Sequence, residues 1–573
     1  MSDHTQTIHS ATPRTTAQLK FSNGQVLEGP LGTKIEAFVK AGSFPEEPKT
    51  IACLVNGQLR ELTYHADRDL TIHLITTADS DGVRVYRRSL VLLLVAAAYE
   101  LFPEAIIRVD YGLNFGAIYC EVEGRPMFKE AELKQIEQRM TEMVAADLPI
   151  KKERISLPQA EALFRSRHAV DKLNLLASRR KPYLTTYTVA GYQDYMHGYM
   201  APSTGYLKIF ALDLYVQGFV LRYPRTDLPN QLQPSVAYPK LVQVFNEYGD
   251  WMGKLGIQEV GTLNQVIKAA KLAETILVSE ALHEQRIAQI ATLLASIHSQ
   301  VRLVLISGPS SSGKTTFSKR LAIQLLAHGI QPFALGLDDF IVNREQTPRD
   351  EEGDYDYESL YSLDLKLFND TLLGLMSGAA VTLAHYNFIT GQQEQGETIA
   401  ISKEHVIIIE GIHGLNPELV PDIPPQKIFR IYVSAITQLN LDYHSRVATT
   451  DTRLLRRIVR DASHRGYTAK DTINRWPKVR RGEHQWIFPY QENADIMFNS
   501  ALIYELAILK QLAEPLLLQI EPGKPEHIEA KRLLSFLQWF EPCLADLVPD
   551  NSLLREFIGG SNLRDYKPGG SSS

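Results

Sequence analysis

The most constraining feature of the sequence is a glycine-rich turn that joins an apolar run to a helical pattern. Residues 303–306 read LVLI, and the turn that follows has the spacing G-x-x-x-x-G-K-T. Glycine lets backbone N–H groups approach phosphate oxygens, the lysine reaches the β- and γ-phosphates, and the next hydroxyl ligates Mg²⁺. A helix predicted at 314–327 directs its positive end at the same anion. The turn therefore predicts an ATP and Mg²⁺ site made of Gly308, Pro309, Ser310, Ser311, Ser312, Gly313, Lys314, Thr315 and Thr316.

Length and composition limit the remaining possibilities. A chain of 573 residues predicts three or four domains. Its formal net charge of -6 gives no whole-chain argument for nucleic-acid binding. Three cysteines, odd in number and far apart, predict neither a disulfide framework nor a Cys-rich metal site and favour the cytoplasm. The most apolar segment, residues 90–99, is far shorter than the ~20 residues that span a bilayer, so no membrane contact is expected.

The first part of the chain predicts a small β-grasp-like domain after a Ser/Thr/His-rich, disordered tail at 1–16. Within residues 17–78, the runs QLKF, VLEGP, IACLVNG and TIHLITT are strand-like, and KIEAFVKAG is a short helix. Asn23 and Gly24 form a hairpin signal. The order of these elements and the phrase LVNGQLRELTY resemble the TGS domain of threonyl-tRNA synthetases.

Residues 79–224 resemble the second additional, editing-like α+β domain of threonyl- and alanyl-tRNA synthetases. In that family a His-x-x-x-His helix and a Cys-x-x-x-His loop hold a metal. Here those positions are occupied by Arg88, Leu92, Met196 and Met200, which are unsuited to a hydrolytic metal. The resemblance therefore implies no editing activity, and it leaves a binding surface for RNA, an aminoacyl group or a nucleotide, or a scaffold.

The second half of the chain predicts an α/β domain. A linker and helical connector are expected over 225–297, and a helix and polar, disordered tail over 521–573. Between them, residues 298–520 alternate strands and helices, which predicts a doubly wound parallel sheet with its ligand at the strand C-terminal ends. The strands are predicted at 303–307, 333–337, 381–385, 406–409 and 428–433.

Two acidic positions follow predicted strands of this domain. Asp338 and Asp339 follow FALGL, where a carboxylate could accept the proton of an attacking hydroxyl or hold Mg²⁺; an N-cap pair is the alternative. Glu410 ends VIIIEG and is typical of a Walker-B-like acid on Mg²⁺, whereas the alternative is an exposed glutamate at a strand end.

An arginine-rich helix follows, DTRLLRRIVRDASHRG. Arginines at helical spacing can close over a transferring phosphoryl group and spread its charge. The same run is also compatible with a solvated, charged helix.

These motifs together resemble the uridine kinase and phosphoribulokinase family, over about 301–515. The resemblance implies that Asp338 is the catalytic base, Glu410 the magnesium-associated acid, and Tyr386 an aromatic packed on the nucleobase. It also implies three lid arginines that contact phosphates and acceptor: Arg457, Arg460 and Arg465. The motifs are GPSSSGKTTFSKRL, LGLDDF, YDYESLYSLD, AHYNFITG, IIEGIHGLN, RRIVRDASHRG and KVRRGEHQWIFPYQENADIMF.

Departures from the family pattern concern the acceptor. Gly391 and Gln393 stand where uridine–cytidine kinases carry a base-reading His and an Arg, and Glu358 replaces the aspartate that grips the ribose hydroxyls. We therefore predict an ATP- and Mg²⁺-dependent kinase of a small-molecule hydroxyl, in first place a nucleoside 5′-hydroxyl. The alternatives are a phosphoribulokinase-like sugar-phosphate kinase and an RNA- or tRNA-linked nucleotide-dependent sensor. Related kinases are often oligomers, so the resemblance also implies a homo-oligomer.

Overall fold

The computed structural model describes residues 12–387 and 389–569. Most of the predicted tail at 1–16, namely residues 1–11, lies outside the described residues, and the remainder leads directly into the first strand. Among the helices that are described, none combines the length and apolar character that a membrane crossing needs.

The first unit is a five-stranded mixed sheet with one helix packed on it. The strand order is β2-β1-β7-β4-β5, with β1 and β7 parallel. The predicted strands and helix of this unit are all present, and β3, β5 and β6 are additional strands. The elements are β1 (Thr16–Phe21), β2 (Val26–Pro30), β3 (Thr33–Lys34), α1 (Ile35–Ala41), β4 (Thr50–Val55), β5 (Gln58–Glu61), β6 (His65–Ala66) and β7 (Leu70–Thr76).

The second unit combines a long buried helix with two antiparallel sheets, ordered β13-β14-β9-β8 and β10-β11-β12. The elements are α2 (Ser80–Leu101), β8 (Ile106–Leu113), β9 (Ala117–Glu123), α3 (Glu130–Ala145), β10 (Lys151–Ser156), α4 (Leu157–Ser166), α5 (Val170–Leu176), β11 (Tyr183–Val189), β12 (Tyr192–Asp194), β13 (Ala211–Tyr215) and β14 (Gly218–Arg222).

The region of the predicted linker and helical connector follows the second unit. Residues 225–238 contain neither helix nor strand, and three helices follow: α6 (Pro239–Leu255), α7 (Val260–Lys268) and α8 (Leu272–Ile297).

The third unit contains the predicted parallel sheet, in the order β16-β19-β15-β20-β21, with β15 at its centre. Every residue of β15 is buried, as is typical of a parallel sheet that is covered on both faces. The elements are β15 (Leu303–Ser307), α9 (Lys314–Ala327), β16 (Pro332–Gly336), α10 (Leu365–Ser377), β17 (Val381–Asn387), β18 (Gln392–Ile399), β19 (Val406–Gly411), β20 (Ile428–Ser434), α11 (Thr449–His464), α12 (Ala469–Trp486), β21 (Ile496–Asn499) and α13 (Glu505–Leu518).

One strand prediction in this unit is wrong, and one strand of the sheet was not predicted. The strand predicted at 381–385 is β17, which leaves the sheet and pairs antiparallel with β18. Its residues alternate between half-buried and exposed, a pattern unsuited to a sheet covered on both faces. The fifth strand of the sheet is instead β21, whose four residues follow a polar run and gave no strand signal.

The C-terminal segment contains α14 (Pro525–Leu537), as predicted, and α15 (Arg555–Ile558). The predicted disorder of the polar end is wrong as far as residue 569. Lys319 Nζ donates to the carbonyls of Leu563 (2.7 Å) and Arg564 (2.8 Å), and the Ala334 amide donates to the Pro568 carbonyl (3.2 Å). The polar composition conceals apolar anchors: Leu553, Leu554, Phe557 and Leu563 are buried.

Candidate functional site

The glycine-rich turn, here called the phosphate loop (residues 308–316), connects the central strand β15 to helix α9. Two of its positions require glycine. A Cβ on Gly308 would collide with the carbonyl oxygen of Val433, and Gly313 has a left-handed φ of 88° with Leu553 packed against it. The loop therefore follows a tight path at the C-terminal edge of the sheet, where ligands of this architecture bind.

Lys314 lies at the start of α9 and is buried, with 8% of its surface exposed. Its Nζ donates to the carbonyls of Gly308 (2.9 Å) and Pro309 (3.3 Å). Burial lowers the pKa of this ammonium, and the nearby carboxylates of Glu410 and Asp338 act in the opposite direction. The lysine is thus held across the phosphate loop by carbonyl groups, which a phosphate oxygen can replace.

Glu410 ends strand β19 beside the phosphate loop, in register with Ile306 of the central strand. It accepts a hydrogen bond from Thr315 Oγ1 (3.0 Å). Burial raises the pKa of Glu410 to about 6, with a further contribution from Asp338, while Lys314 opposes the rise. This geometry is consistent with the sequence prediction that Thr315 and Glu410 belong to one site.

Asp338 and Asp339 lie in a 3₁₀ turn, Leu337–Phe340, directly after strand β16. The two carboxylates have different surroundings. Asp339 Oδ1 lies 3.2 Å from His385 Nδ1, towards β17. Asp338 opens to the cleft, where burial of its carboxyl by the cleft walls raises its pKa and Lys314 and Arg465 oppose the rise. Asp338 is therefore the member of the pair that faces the phosphate loop.

The donor set at this edge fits a hard divalent cation. The Thr315 hydroxyl and the Glu410 carboxylate are hydrogen-bonded to each other, and Asp338 raises the pKa of Glu410 through space. The raised pKa values indicate that nearby protein cations do not fully offset the cost of burying these two carboxylates. Oxygen donors are the ligands that Mg²⁺ prefers. The predicted metal residues Thr315, Glu410 and Asp338 can therefore hold Mg²⁺.

Helix α11 carries the arginines of the site, and two of them have a role that sequence reasoning missed. Arg453 and Arg456 are 1% and 0% exposed, so this part of the helix is neither solvated nor a free lid. Arg453 Nε donates to the Ser310 carbonyl (2.9 Å), and Arg456 Nη1 donates to the Ser311 carbonyl (3.4 Å). Their charges are balanced by two buried acids, Glu483 and Glu505 respectively. Both arginines therefore support the phosphate loop from behind.

The predicted lid arginines gather around one buried carboxylate, Asp461. Arg457 donates to Ser310 Oγ (2.8 Å) and to Asp461 (3.3 Å), and Arg460 donates to Asp461 at 2.8 and 3.0 Å. Arg465 Nε lies 3.9 Å from Asp461, and its side chain is 54% exposed. Burial lowers the pKa values of Arg457 and Arg465. Of the three, Arg457 contacts the phosphate loop directly, and Arg460 and Arg465 share its partner Asp461.

Two predicted acceptor residues, Glu358 and Tyr386, have different surroundings. Burial raises the pKa of Glu358 to about 7, Glu483 adds to the rise, and Arg457 and Lys314 oppose it. Tyr386 is 2% exposed and lies within the packed core of the domain, so its contact with a nucleobase stays a prediction.

Gly391 marks a feature that the sequence did not reveal. Its φ is 74°, and a Cβ on it would lie 2.7 Å from Arg344 Nε. The Arg344 amide also donates to the Gly391 carbonyl (2.9 Å), and the Gln393 amide donates to Asn343 Oδ1 (2.8 Å). An exposed guanidinium therefore lies over the position where the family pattern has its base-reading histidine.

A carboxylate from the C-terminal segment reaches the first turn of α9. Glu556 Oε2 accepts from the Thr316 amide (3.1 Å) and from Thr316 Oγ1 (2.9 Å). The N-terminus of a helix is a general anion site, and a nucleotide phosphate would use the same amide. No sequence motif marks Glu556, which is 240 residues from its partner.

Comparison with known proteins gives a family match for the third unit. Residues 303–505 match the model of the Phosphoribulokinase / Uridine kinase family. The match lies within the region where the sequence motifs show the same resemblance.

The N-terminal region is similar to other proteins. The chain is 35% identical over 163 residues to a threonine–tRNA ligase of Cupriavidus necator, covering 28% of this chain and 26% of the ligase. It is 28% identical over 196 residues to that of Desulforamulus reducens, covering 34% and 31%. The chain thus spans about a quarter to a third of the length of these relatives. A solved structure titled as a possible uridine kinase from Bacillus stearothermophilus aligns with 22% identity and a TM-score of 0.27, over 38% of this chain and 98% of that one.

Proposed function

We propose that this protein is an ATP-dependent kinase that phosphorylates a hydroxyl group of a small molecule, in first place the 5′-hydroxyl of a nucleoside. The observation that carries the proposal is the convergence of Lys314, Asp338, Glu410 and Arg457 on one cleft beside the phosphate loop. The family of the kinase domain supports the same reaction class.

Different residues of the cleft have different roles in phosphoryl transfer. The phosphate loop and Lys314 bind the phosphates of ATP, and Asp338 accepts the proton of the attacking hydroxyl. Arg457 and Arg460, together with Arg465, neutralise the charge of the transferring group. Thr315, Glu410 and Asp338 hold Mg²⁺, which supplies charge neutralisation between the phosphates when it is bound.

A second acceptor class is favoured by Arg344. Among the described residues, this guanidinium has no carboxylate within ion-pair distance, although it lies over Gly391 at the acceptor end of the cleft. An arginine that hydrogen-bonds the Tyr386 side chain but has no carboxylate partner is suited to a phosphate on the acceptor. A sugar phosphate is therefore the alternative substrate, as in a phosphoribulokinase-like reaction.

The N-terminal units support a further part of the proposal. We infer that residues 17–78 are TGS-like and residues 79–224 editing-like, on the similarity to threonine–tRNA ligases. Met196 and Met200 are buried at 2% and 1% exposure, so their positions serve packing rather than metal binding. A role of these units in RNA contact is the basis of the sensor alternative.

A substrate comparison tests the acceptor class. Phosphate transfer from ATP should be measured with uridine, other nucleosides and ribulose 5-phosphate, using the full chain and its Arg344→Gln variant. A nucleoside kinase retains transfer to nucleosides in the variant. A sugar-phosphate kinase loses at least about tenfold in kcat/KM for ribulose 5-phosphate, because one charge-assisted contact is removed. Transfer to neither class contradicts the proposal.

A further inference from the structure

A basic cavity of about 510 Å³ lies between the N-terminal units and the kinase domain. Ten of its lining residues are Arg or Lys, and two are Asp. None of the lining residues belongs to the phosphate loop or to the lid arginines. Its walls come from residues 57–59, helix α2, strand β10, residues 195–199, residues 444–451 and helix α14.

The carboxylates around the basic cavity are already bound to a subset of these cations. The pairs are Arg84 with Asp81 and Glu529, Arg532 with Asp451 and Glu529, and Lys152 with Glu61. Within the described part of the chain, the other cations of the wall therefore have no carboxylate in ion-pair contact.

Three of the remaining cations are Arg87, Arg88 and Arg446. Among the described residues, Arg88 donates to the Tyr199 carbonyl (2.6 Å) and to no carboxylate, and its guanidinium lies on Gly198. The Arg446 Nε is buried without a hydrogen-bond partner in the part of the chain that is described. Burial and the neighbouring Arg87 lower the pKa values of Arg88 and Arg446 to about 10. Such crowding of like charges is stabilised when an anion binds between them.

The dimensions and chemistry of the cavity favour a small ligand. Its volume lies within the roughly 300–1,000 Å³ of small-molecule sites. Aromatic faces stand next to the cations: Tyr195 and Trp539 pack edge to face at 5.3 Å. Phosphate groups suit arginine, and a base suits aromatic walls. An RNA would instead be expected to use an extended basic surface, whereas this cavity is enclosed by many separate parts of the fold.

The cavity is linked directly to the phosphate loop through α11. Arg532 makes two 2.7 Å hydrogen bonds to Asp451 in the first turn of α11. Two and six residues further on, Arg453 and Arg457 of the same helix contact Ser310. A ligand that draws Arg532 towards its phosphates therefore changes the anchoring of the helix that supports the loop.

We propose that the basic cavity binds a small phosphorylated ligand of the nucleotide class, whose phosphates contact Arg87, Arg88 and Arg446, and that its occupancy changes ATP turnover through α11. Ligand binding in the basic cavity does not depend on the proposed kinase function. Only the effect on ATP turnover rests on that function.

Calorimetry on the full chain tests the binding site. The phosphate loop is first saturated with a non-hydrolysable ATP analogue, and guanosine 5′-diphosphate or pyrophosphate is then titrated. We expect saturable binding of guanosine 5′-diphosphate that is weakened at least about tenfold in the Arg87→Gln/Arg446→Gln double variant. The matched control is Arg68→Gln, an exposed arginine outside the cavity, which should bind as the original chain does.

Two further readouts keep the test decisive. Because both substituted arginines lack a charge partner, the melting temperature of the double variant should not fall, and guanosine 5′-diphosphate should raise it only in the original chain. The ligand should also change ATP turnover in the original chain and not in the double variant.

Other results would overturn the proposal or one of its parts. The site is overturned if neither probe binds, or if the double variant binds both unchanged. Binding of a CCA-ended RNA oligonucleotide alone overturns the small-ligand assignment in favour of RNA. An unchanged turnover on saturation overturns the link through α11. Because binding is measured with the loop already occupied, a chain without kinase activity still gives a valid binding result.

Discussion

Glu556 provides a direct test of how the phosphate loop is used. Its carboxylate accepts two hydrogen bonds from Thr316 on the first turn of α9, where a nucleotide phosphate is expected. ATP must therefore displace this side chain. In the Glu556→Gln variant the charge is removed, while a hydrogen-bond acceptor of the same size remains.

The expected change in ATP affinity follows from the difference between a hydrogen bond to a charged acceptor and one to a neutral acceptor. A bond to a charged group contributes ~1.5–3 kcal/mol and a neutral one about half of that. The substitution therefore lowers the free energy of displacing residue 556 by about 1 kcal/mol. Binding of ATP should become roughly three- to tenfold tighter.

Calorimetric titration with Mg²⁺ and a non-hydrolysable ATP analogue measures the effect. The matched control is Asp550→Asn in the same segment, since the Asp550 side chain is 72% exposed and, among the described residues, its ion-pair partner is Arg555 at 3.8 Å. An unchanged or weaker affinity in Glu556→Gln refutes the reasoning, because it would show that the carboxylate supports the loop rather than competing with the nucleotide.

Three other substitutions test the site and the fold. Asp338→Asn should retain ATP binding but lower turnover at least about 10²-fold, because the base is lost. Lys172→Met should lower the free energy of unfolding by about 3–5 kcal/mol in urea denaturation, because Lys172 bridges the buried acids Asp194 (3.3 Å) and Asp442 (3.2 Å). Glu410→Gln should raise the unfolding free energy at pH 8 by about 2 kcal/mol, since the folded pKa of Glu410 is raised from 4.5 to about 6.

Each of these outcomes has a control. Near-normal turnover in Asp338→Asn would remove that residue as the base. For Lys172→Met the comparison is Lys366→Met, an exposed pair that should cost less than about 1 kcal/mol. The Glu410→Gln gain must shrink as the pH falls through about 6 and vanish near pH 4.5, because the ionised form is the one that burial penalises. A gain of equal size at both pH values would contradict the linkage.

The sequence was most informative where the chemistry is local. The phosphate loop, Asp338 and Glu410 could be predicted because each is a fixed residue type at the end of an apolar strand. The strand order could not be read in the same way, and β17 was assigned to the sheet although it forms a hairpin with β18. Its apolar residues are too few to specify which partner it pairs with.

Contacts between distant segments account for what the sequence did not reveal. Arg453 and Arg456 looked like members of a charged helix, and only their buried partners Glu483 and Glu505 show that they support the loop. Glu556 lies in a segment without any motif. Such pairs are decided by tertiary packing, which leaves no periodic pattern in the chain.

Phosphate transfer from ATP to a small acceptor in this cleft can be measured directly. The measurement is ATP turnover of the full chain with Mg²⁺ in the presence of single nucleosides, ribulose 5-phosphate or bulk tRNA. We expect strong stimulation by one small acceptor, with a phosphorylated product that is absent for Asp338→Asn. Stimulation by tRNA alone, or turnover without a phosphorylated small molecule, would contradict it and would indicate the nucleotide-dependent sensor instead.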